Sequence, residues 1–338
     1  MKNWFVLVFA LLSLAADAQV GELIWEDNFN SKKLDTTFWN YETGTGLNGD
    51  WGTGQLDEAT DRKKNVRIKF GVAEADSGCL AITTRNDQYN KRDYSSGRVN
   101  TSGKAAWGPG HRIVARVWPR DVTHQGQGFA FWMMPNEVPE GHKSLMWPQG
   151  GEIDIMEYVG SIPRHNLGSV HYAKAWENNE WKANNHKHQG AYYSFARKGT
   201  PENEPQYTNT PAEANDESAG STGFHTYGID WHTDRMEFFV DGRVYHIHYF
   251  EDGTGLSEDG QDNRLYTSIN GTWAVQTEFS HHFDEWRPFE HQHYVILSAG
   301  VGGAQHTYGG AIVPEAKFPC TVFVDWVRVY RLEETQAE

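Results

Sequence analysis

Cysteine is nearly absent: two residues, Cys79 and Cys320, in a chain of 338. That excludes a small fold held by a disulfide framework. It leaves either one bridge in an oxidising compartment or two buried thiols. Positive charge is also short, with 30 Lys and Arg against 45 Asp and Glu and a formal net charge of −15. Such a chain repels nucleic acid and anionic membranes, so neither is an expected partner. Long apolar runs are missing as well. The one candidate, Phe5 to Leu14, is about half the roughly 20 residues that a spanning helix needs. Lys2 precedes it and Ala16-Asp17-Ala18 follows as a small-x-small cleavage site, so residues 1–18 read as a secretory signal. The mature chain is expected to begin at Gln19, and the protein to be secreted or periplasmic. No cysteine adjoins the cleavage site to carry a lipid anchor.

Several catalytic signatures are absent too. No Gly-x-Ser-x-Gly elbow occurs, which removes support for a Ser-His-Asp hydrolase. The 16 histidines show no zinc spacing: His186-Lys187-His188 and His281-His282 lack partners at ligand intervals. No catalytic cofactor is expected. Long amphipathic helices, internal repeats and Pro- or Ser-rich linkers are also lacking. Residues 19–338 are therefore expected to form a single all-β domain, acting as a monomer.

What the chain does contain is short β-branched and aromatic runs between Gly, Asn, Asp and Pro clusters. The clearest are Leu23-Ile24-Trp25, Cys79 to Thr83, His111 to Trp118, Gly128 to Met134, Glu152 to Tyr158 and Ser169 to Tyr172. Tyr227 to Trp231, Met236 to Val240, Arg243 to His248, Tyr294 to Ser298 and Thr321 to Tyr330 complete the set. Asp241-Gly242 between two alternating runs predicts a two-residue hairpin. The pattern predicts two antiparallel sheets packed face to face, as a sandwich or jelly roll. Two polar stretches, residues 178–223 and 251–290, read as insertions or long surface loops.

The run from Gly151 to Tyr158 reads Gly-Glu-Ile-Asp-Ile-Met-Glu-Tyr. Carboxylates are costly on an otherwise apolar strand. Alternation puts Glu152 and Asp154 on one face and Glu157 on the other. One extra residue between Asp154 and Glu157, a β-bulge, would bring all three acids together. Two glutamates across a small gap then fit a retaining glycosidase, whose carboxyl groups lie about 5–5.5 Å apart. Asp154 between them would help separate their pKa values.

Fourteen tryptophans, with Trp4 in the signal, also favour a carbohydrate partner, because indole rings stack on sugar faces. Trp132 and Trp147 lie nearest the acids in sequence. Trp107, Trp176 and Trp51 sit in loop-like surroundings. Each is a candidate sugar platform, with ordinary core packing as the alternative. Trp118, Trp231 and Trp326 fall within strand patterns and read as core. His171, two positions after Ser169, could hydrogen-bond the acids or be satisfied in place.

Taken together, Trp147-Pro148 and the run Gly151 to Glu157 resemble the active-site signature of glycoside hydrolase family 16, in its laminarinase-like branch. The likeness covers most of the mature chain. Ser96 to Thr101, Ala115-Arg116-Val117 and Phe129 to Pro135 are similar to the strands that precede the site. Ala299 to Gly303 and Val324 to Tyr330 are similar to the C-terminal strands.

The resemblance implies a β-jelly roll with a glycan cleft. It makes Glu152 the nucleophile, Asp154 its assisting acid and Glu157 the general acid/base. The six-residue form Glu-x-Asp-x-x-Glu implies a bulged member acting on β-1,3-glucan polysaccharide, with mixed β-1,3/1,4-glucan as a further substrate. It also implies that Trp132 and Trp147 line the negative subsites and that His171 lies close to the cleft. A structural calcium is implied at Gly78 and Asp325, although Asn28 stands where the family often has Glu. Agarases, porphyranases and carrageenases share the signature. A red-algal galactan hydrolase and a non-catalytic glycan-binding relative are therefore the competing expectations.

Overall fold

The burial of apolar strand faces between two sheets decides the architecture. In a computed structural model, the described residues are 19–138, 140, 147–173, 186–195, 223–251, 265–269, 272–279, 286–304 and 307–333. Among them the strands form one sheet of twelve and one of seven, almost wholly antiparallel. The seven-stranded sheet runs, edge to edge, through His186–Ser194, His165–Ala173, Glu152–Val159, Gln127–Pro135, His293–Val301, Arg98–Asn100 and Asn40–Tyr41.

One face of this sheet is apolar. Phe129, Phe131 and Met133 of one strand, Val295, Leu297 and Ala299 of another, and Val170 and Tyr172 of a third are buried. They belong to one cluster with Ile113, Ala115 and Val117, Tyr227, Ile229 and Trp231, and Val322 and Val324 of the larger sheet. Each such side chain contributes about 1.5–3 kcal/mol on burial, which is what holds the two sheets together. The fold is the expected all-β jelly-roll sandwich. The opposite face of the smaller sheet carries Glu152, Asp154 and Glu157.

All eleven quoted runs lie within strands. Asp241 and Gly242 both take positive φ, 49° and 74°, as a two-residue turn between paired strands requires. The polar stretches are different from their sequence reading. Residues 178–223 contribute the edge strand His186–Ser194, and residues 251–290 contribute Leu265–Ile269 and Thr272–Glu278. The first was hidden because its open face carries His186 and His188, which breaks the apolar signal that Ala191 and Tyr193 provide on the core face. The signal segment 1–18 lies outside the described residues. Cys79 and Cys320 are both free and buried. Cys320 pairs across the sheet with Thr84, five positions along from Cys79, or roughly 17 Å of strand. No disulfide spans that gap.

Candidate active site

The acidic strand Glu152–Val159 carries the expected bulge. Against the strand His165–Ala173, Asp154 pairs with Ser169 but Glu157 pairs with Leu167, so three steps on one side match two on the other. Against Gln127–Pro135, Asp154 pairs with Trp132 and Met156 with Phe131. The additional residue is Ile155. It and Met156 are both buried on the core side, at 1% and 0% exposure, where strict alternation would place only one. Glu152, Asp154 and Glu157 therefore share the open face. Gly151 leads into the strand with φ 82°, and a Cβ there would strike Phe289 at 2.6 Å. The turn thus needs glycine.

Glu152 has a donor of its own, while Asp154 and Glu157 share one. The indole N–H of Trp147 donates to Glu152 Oε2 at 2.8 Å. Ser169 Oγ lies 3.1 Å from Asp154 Oδ2 and 3.3 Å from Glu157 Oε2. His171 Nε2 lies 3.3 Å from Asp154 Oδ2, and its Nδ1 lies 2.8 Å from His186 Nε2. Burial pushes all three carboxyls up, Glu152 to about 8, Asp154 to about 7 and Glu157 to about 8. The charge at Asp154 raises both glutamates further. His171 pulls both back, and Trp147 pulls back Glu152 alone. The cluster therefore keeps protons into the neutral range, as general acid chemistry requires.

The predicted aromatics separate into groups. Trp132 stands opposite Asp154, donates to Ser298 Oγ at 3.0 Å, and faces the Arg98 guanidinium at 4.8 Å. Trp51, half-buried with φ 59°, faces the same guanidinium at 4.4 Å, so one cation joins the two indoles. Trp147 is 37% exposed and packs on His171 and His186, with ring centroids at 5.7 and 4.7 Å. Trp132, on the strand Gln127–Pro135, and Trp147, in the turn before the acidic strand and packed on His171 and His186, thus stand on the two flanks of the acids. Trp107 is no platform. It is 7% exposed and packs on Trp25 within the core, centroids 4.9 Å apart. Trp176 lies outside the described residues.

Sequence reasoning missed three residues of this face. Arg98, paired with Glu42 at 2.6 Å, entered only as part of a resembling strand. Ser169 entered as a position marker. His186 was set aside for lacking zinc spacing, a test that asks nothing about hydrogen bonds to another histidine.

The residues implied for calcium do not fit that ion. Asp325 is buried, and its carboxylate is paired with the Arg116 guanidinium. The backbone N–H of Asp76 donates to it at 3.1 Å, and Cys79 Sγ lies at 3.8 Å. Calcium takes about six to eight oxygens, whereas this carboxylate faces an amide, a thiol and a resident cation. Gly78 has a packing role: a Cβ there would lie 2.2 Å from the Phe29 carbonyl oxygen.

The chain is similar to known proteins over most of its length. Residues 58–287 match the family model described as Glycosyl hydrolases family 16. A β-glucanase of Rhodothermus marinus is 31% identical over 317 residues, covering 93% of this chain and 86% of that protein. Glucan endo-1,3-beta-glucosidase A1 of Niallia circulans is 29% identical, with 91% of this chain covered. The chain spans 38% of that relative's length. The laminarinase catalytic domain of Thermotoga maritima superposes with a TM-score of 0.64 at 26% identity, covering 94% of this chain and 100% of that one.

Proposed function

The chain belongs to glycosyl hydrolase family 16, and from that premise we propose that it is an exported, monomeric endo-β-1,3-glucanase that cleaves laminarin-like glucan with retention of configuration. The observation that carries this reading is the bulge at Ile155, which sets Glu152 and Glu157 on one open face with Asp154 between them. The activities that name the relatives, β-glucanase and laminarinase, support the substrate class.

The environments of the two glutamates distribute the roles. Glu152 accepts an indole N–H, which favours its carboxylate, and so serves as nucleophile. Among the described residues, the donor beside Glu157 is the Ser169 hydroxyl, which it shares with Asp154, and so Glu157 keeps its proton as general acid. In the first step a Glu152 oxygen bonds the anomeric carbon while the Glu157 proton passes to the departing glycosidic oxygen. In the second, Glu157 takes a proton from water, whose oxygen bonds the anomeric carbon as the Glu152 ester breaks. Both steps use only side chains of this face, with no cofactor.

Product analysis on laminarin, mixed-linkage β-1,3/1,4-glucan and agarose tests the reading, with the first-formed anomer read by NMR. β-Anomeric oligosaccharides from laminarin are expected. Reducing ends from agarose but not laminarin would assign the chain to galactans instead. Polysaccharide binding without turnover on any of them would make it a glycan-binding relative. Export is checked by N-terminal sequencing of the protein outside the cytoplasm, with Gln19 expected first.

A further inference from the structure

We propose that His186 is a positioning residue for this hydrolysis: it fixes the tautomer of His171, so that His171 keeps an N–H on Asp154 and Glu157 keeps its proton. The inference rests on the hydrolase reading above and adds a residue from the neighbouring edge strand to it.

The geometry is a chain of single protons. Asp154 Oδ2 meets both Ser169 Oγ and His171 Nε2, at 3.1 and 3.3 Å. The Ser169 hydroxyl has one proton and two carboxyl neighbours, Asp154 and Glu157. When Asp154 is the ionised acceptor, Glu157 must supply the proton for its own contact with Ser169. That is its general-acid form. An ionised Asp154 in turn needs a donor at His171 Nε2. A neutral imidazole that donates from Nε2 has a bare Nδ1, which itself needs a donor. His186 Nε2 stands there at 2.8 Å. The other tautomer would turn a lone pair toward the carboxylate. If His171 is protonated, both nitrogens donate and His186 accepts, so the same contact serves either state.

The surroundings hold this arrangement in place. His171 pairs across the sheet with His188, and its ring lies nearly parallel to both His188 and His186, with centroids 4.3 and 5.0 Å away. Trp147 packs on both His171 and His186. Burial, and next the neighbouring His171, pull His186 down to about 4, so it works as a neutral ring. Among the described residues, the titratable groups facing His171 are Glu152, Asp154 and Glu157 on the acidic strand and His186 and His188 on the edge strand.

The test compares pH profiles of kcat/KM on laminarin for the parent, His186→Ala, His186→Gln and His188→Ala. Losing the donor weakens the anionic Asp154, whose charge helps keep Glu157 protonated. His186→Ala should therefore move the alkaline limb to lower pH by about one unit, a roughly tenfold loss on that side, carried by kcat with KM little changed. His186→Gln can donate from its amide and should restore the limb. His188→Ala removes a stacked ring but not this hydrogen bond and should leave the limb in place. An unmoved limb in His186→Ala, or an equal shift in His188→Ala, overturns the proposal. A second readout needs no substrate: the ¹³C carboxyl titration of Glu157 should fall in His186→Ala and recover in His186→Gln. A parent inactive on laminarin would overturn the glucan reading alone, while the carboxyl titration would still decide the role of His186.

Discussion

One hydroxyl separates the tasks of the two glutamates. Ser169 touches Asp154 and Glu157 but has a single proton to give, while Glu152 is held by the Trp147 indole. Glu152→Gln and Glu157→Gln should each lower kcat on laminarin by about 10³-fold or more with the circular dichroism unchanged. Full activity in either variant would remove the assignment. The raised carboxyl pKa values also have a stability consequence. Burial pushes Glu157 up to about 8 in the folded chain, from an ordinary value of 4.5. The folded chain thus holds an extra proton between these pH values, and stability falls as pH rises through that window. Glutamine cannot ionise, so Glu157→Gln should gain melting temperature relative to the parent at about pH 9 and not at about pH 4. Equal differences at both pH values would contradict the raised pKa. The clustering of the three acids was legible in the sequence because a charge on an apolar strand is anomalous by itself. Trp107 and Trp132 were not distinguishable there, since an indole from a loop can fold down onto Trp25 as easily as stand on a sheet face.

At the scale of the element, the bulge is what makes six residues behave as one face. Deleting Met156 would leave Glu-Ile-Asp-Ile-Glu, in which plain alternation already puts the three acids together. That variant should fold with a lower melting temperature, since it loses a buried side chain, and should keep measurable activity on laminarin. Deleting Ile153 instead shifts Glu152 toward the core side and should abolish turnover. If the two deletions were equally inactive, register would not be what aligns the acids. The edge strand His186–Ser194 shows the limit of pattern reading. Its open face carries histidines where an alternating strand normally shows simple polar residues, and only pairing with His165–Ala173 reveals it as sheet.

Across the whole molecule, the larger sheet backs the smaller one, and the three acids stand on the face turned away from it. On the larger sheet, Arg116 balances the buried Asp325, which bonds the strand Cys320–Glu333 to the strand His111–Trp118 by charge as well as by ladder. Chelation with EDTA should therefore leave the melting temperature unchanged, as followed by calorimetry, whereas Arg116→Ala should lower it by stranding a buried carboxylate. A large drop on chelation alone would restore calcium to this site. The all-β pattern, the hairpin at Asp241-Gly242 and the clustering of the three acids are written in the amino-acid order, because each depends on neighbours within a few positions of the chain. The burial of Trp107, the places of Trp132 and Trp147 on the two flanks of the acids and the contact of His186 with His171 come from the assembled sheets. Those outcomes depend on which strand lies beside which, and residues far apart in the chain meet only once the sheet is assembled.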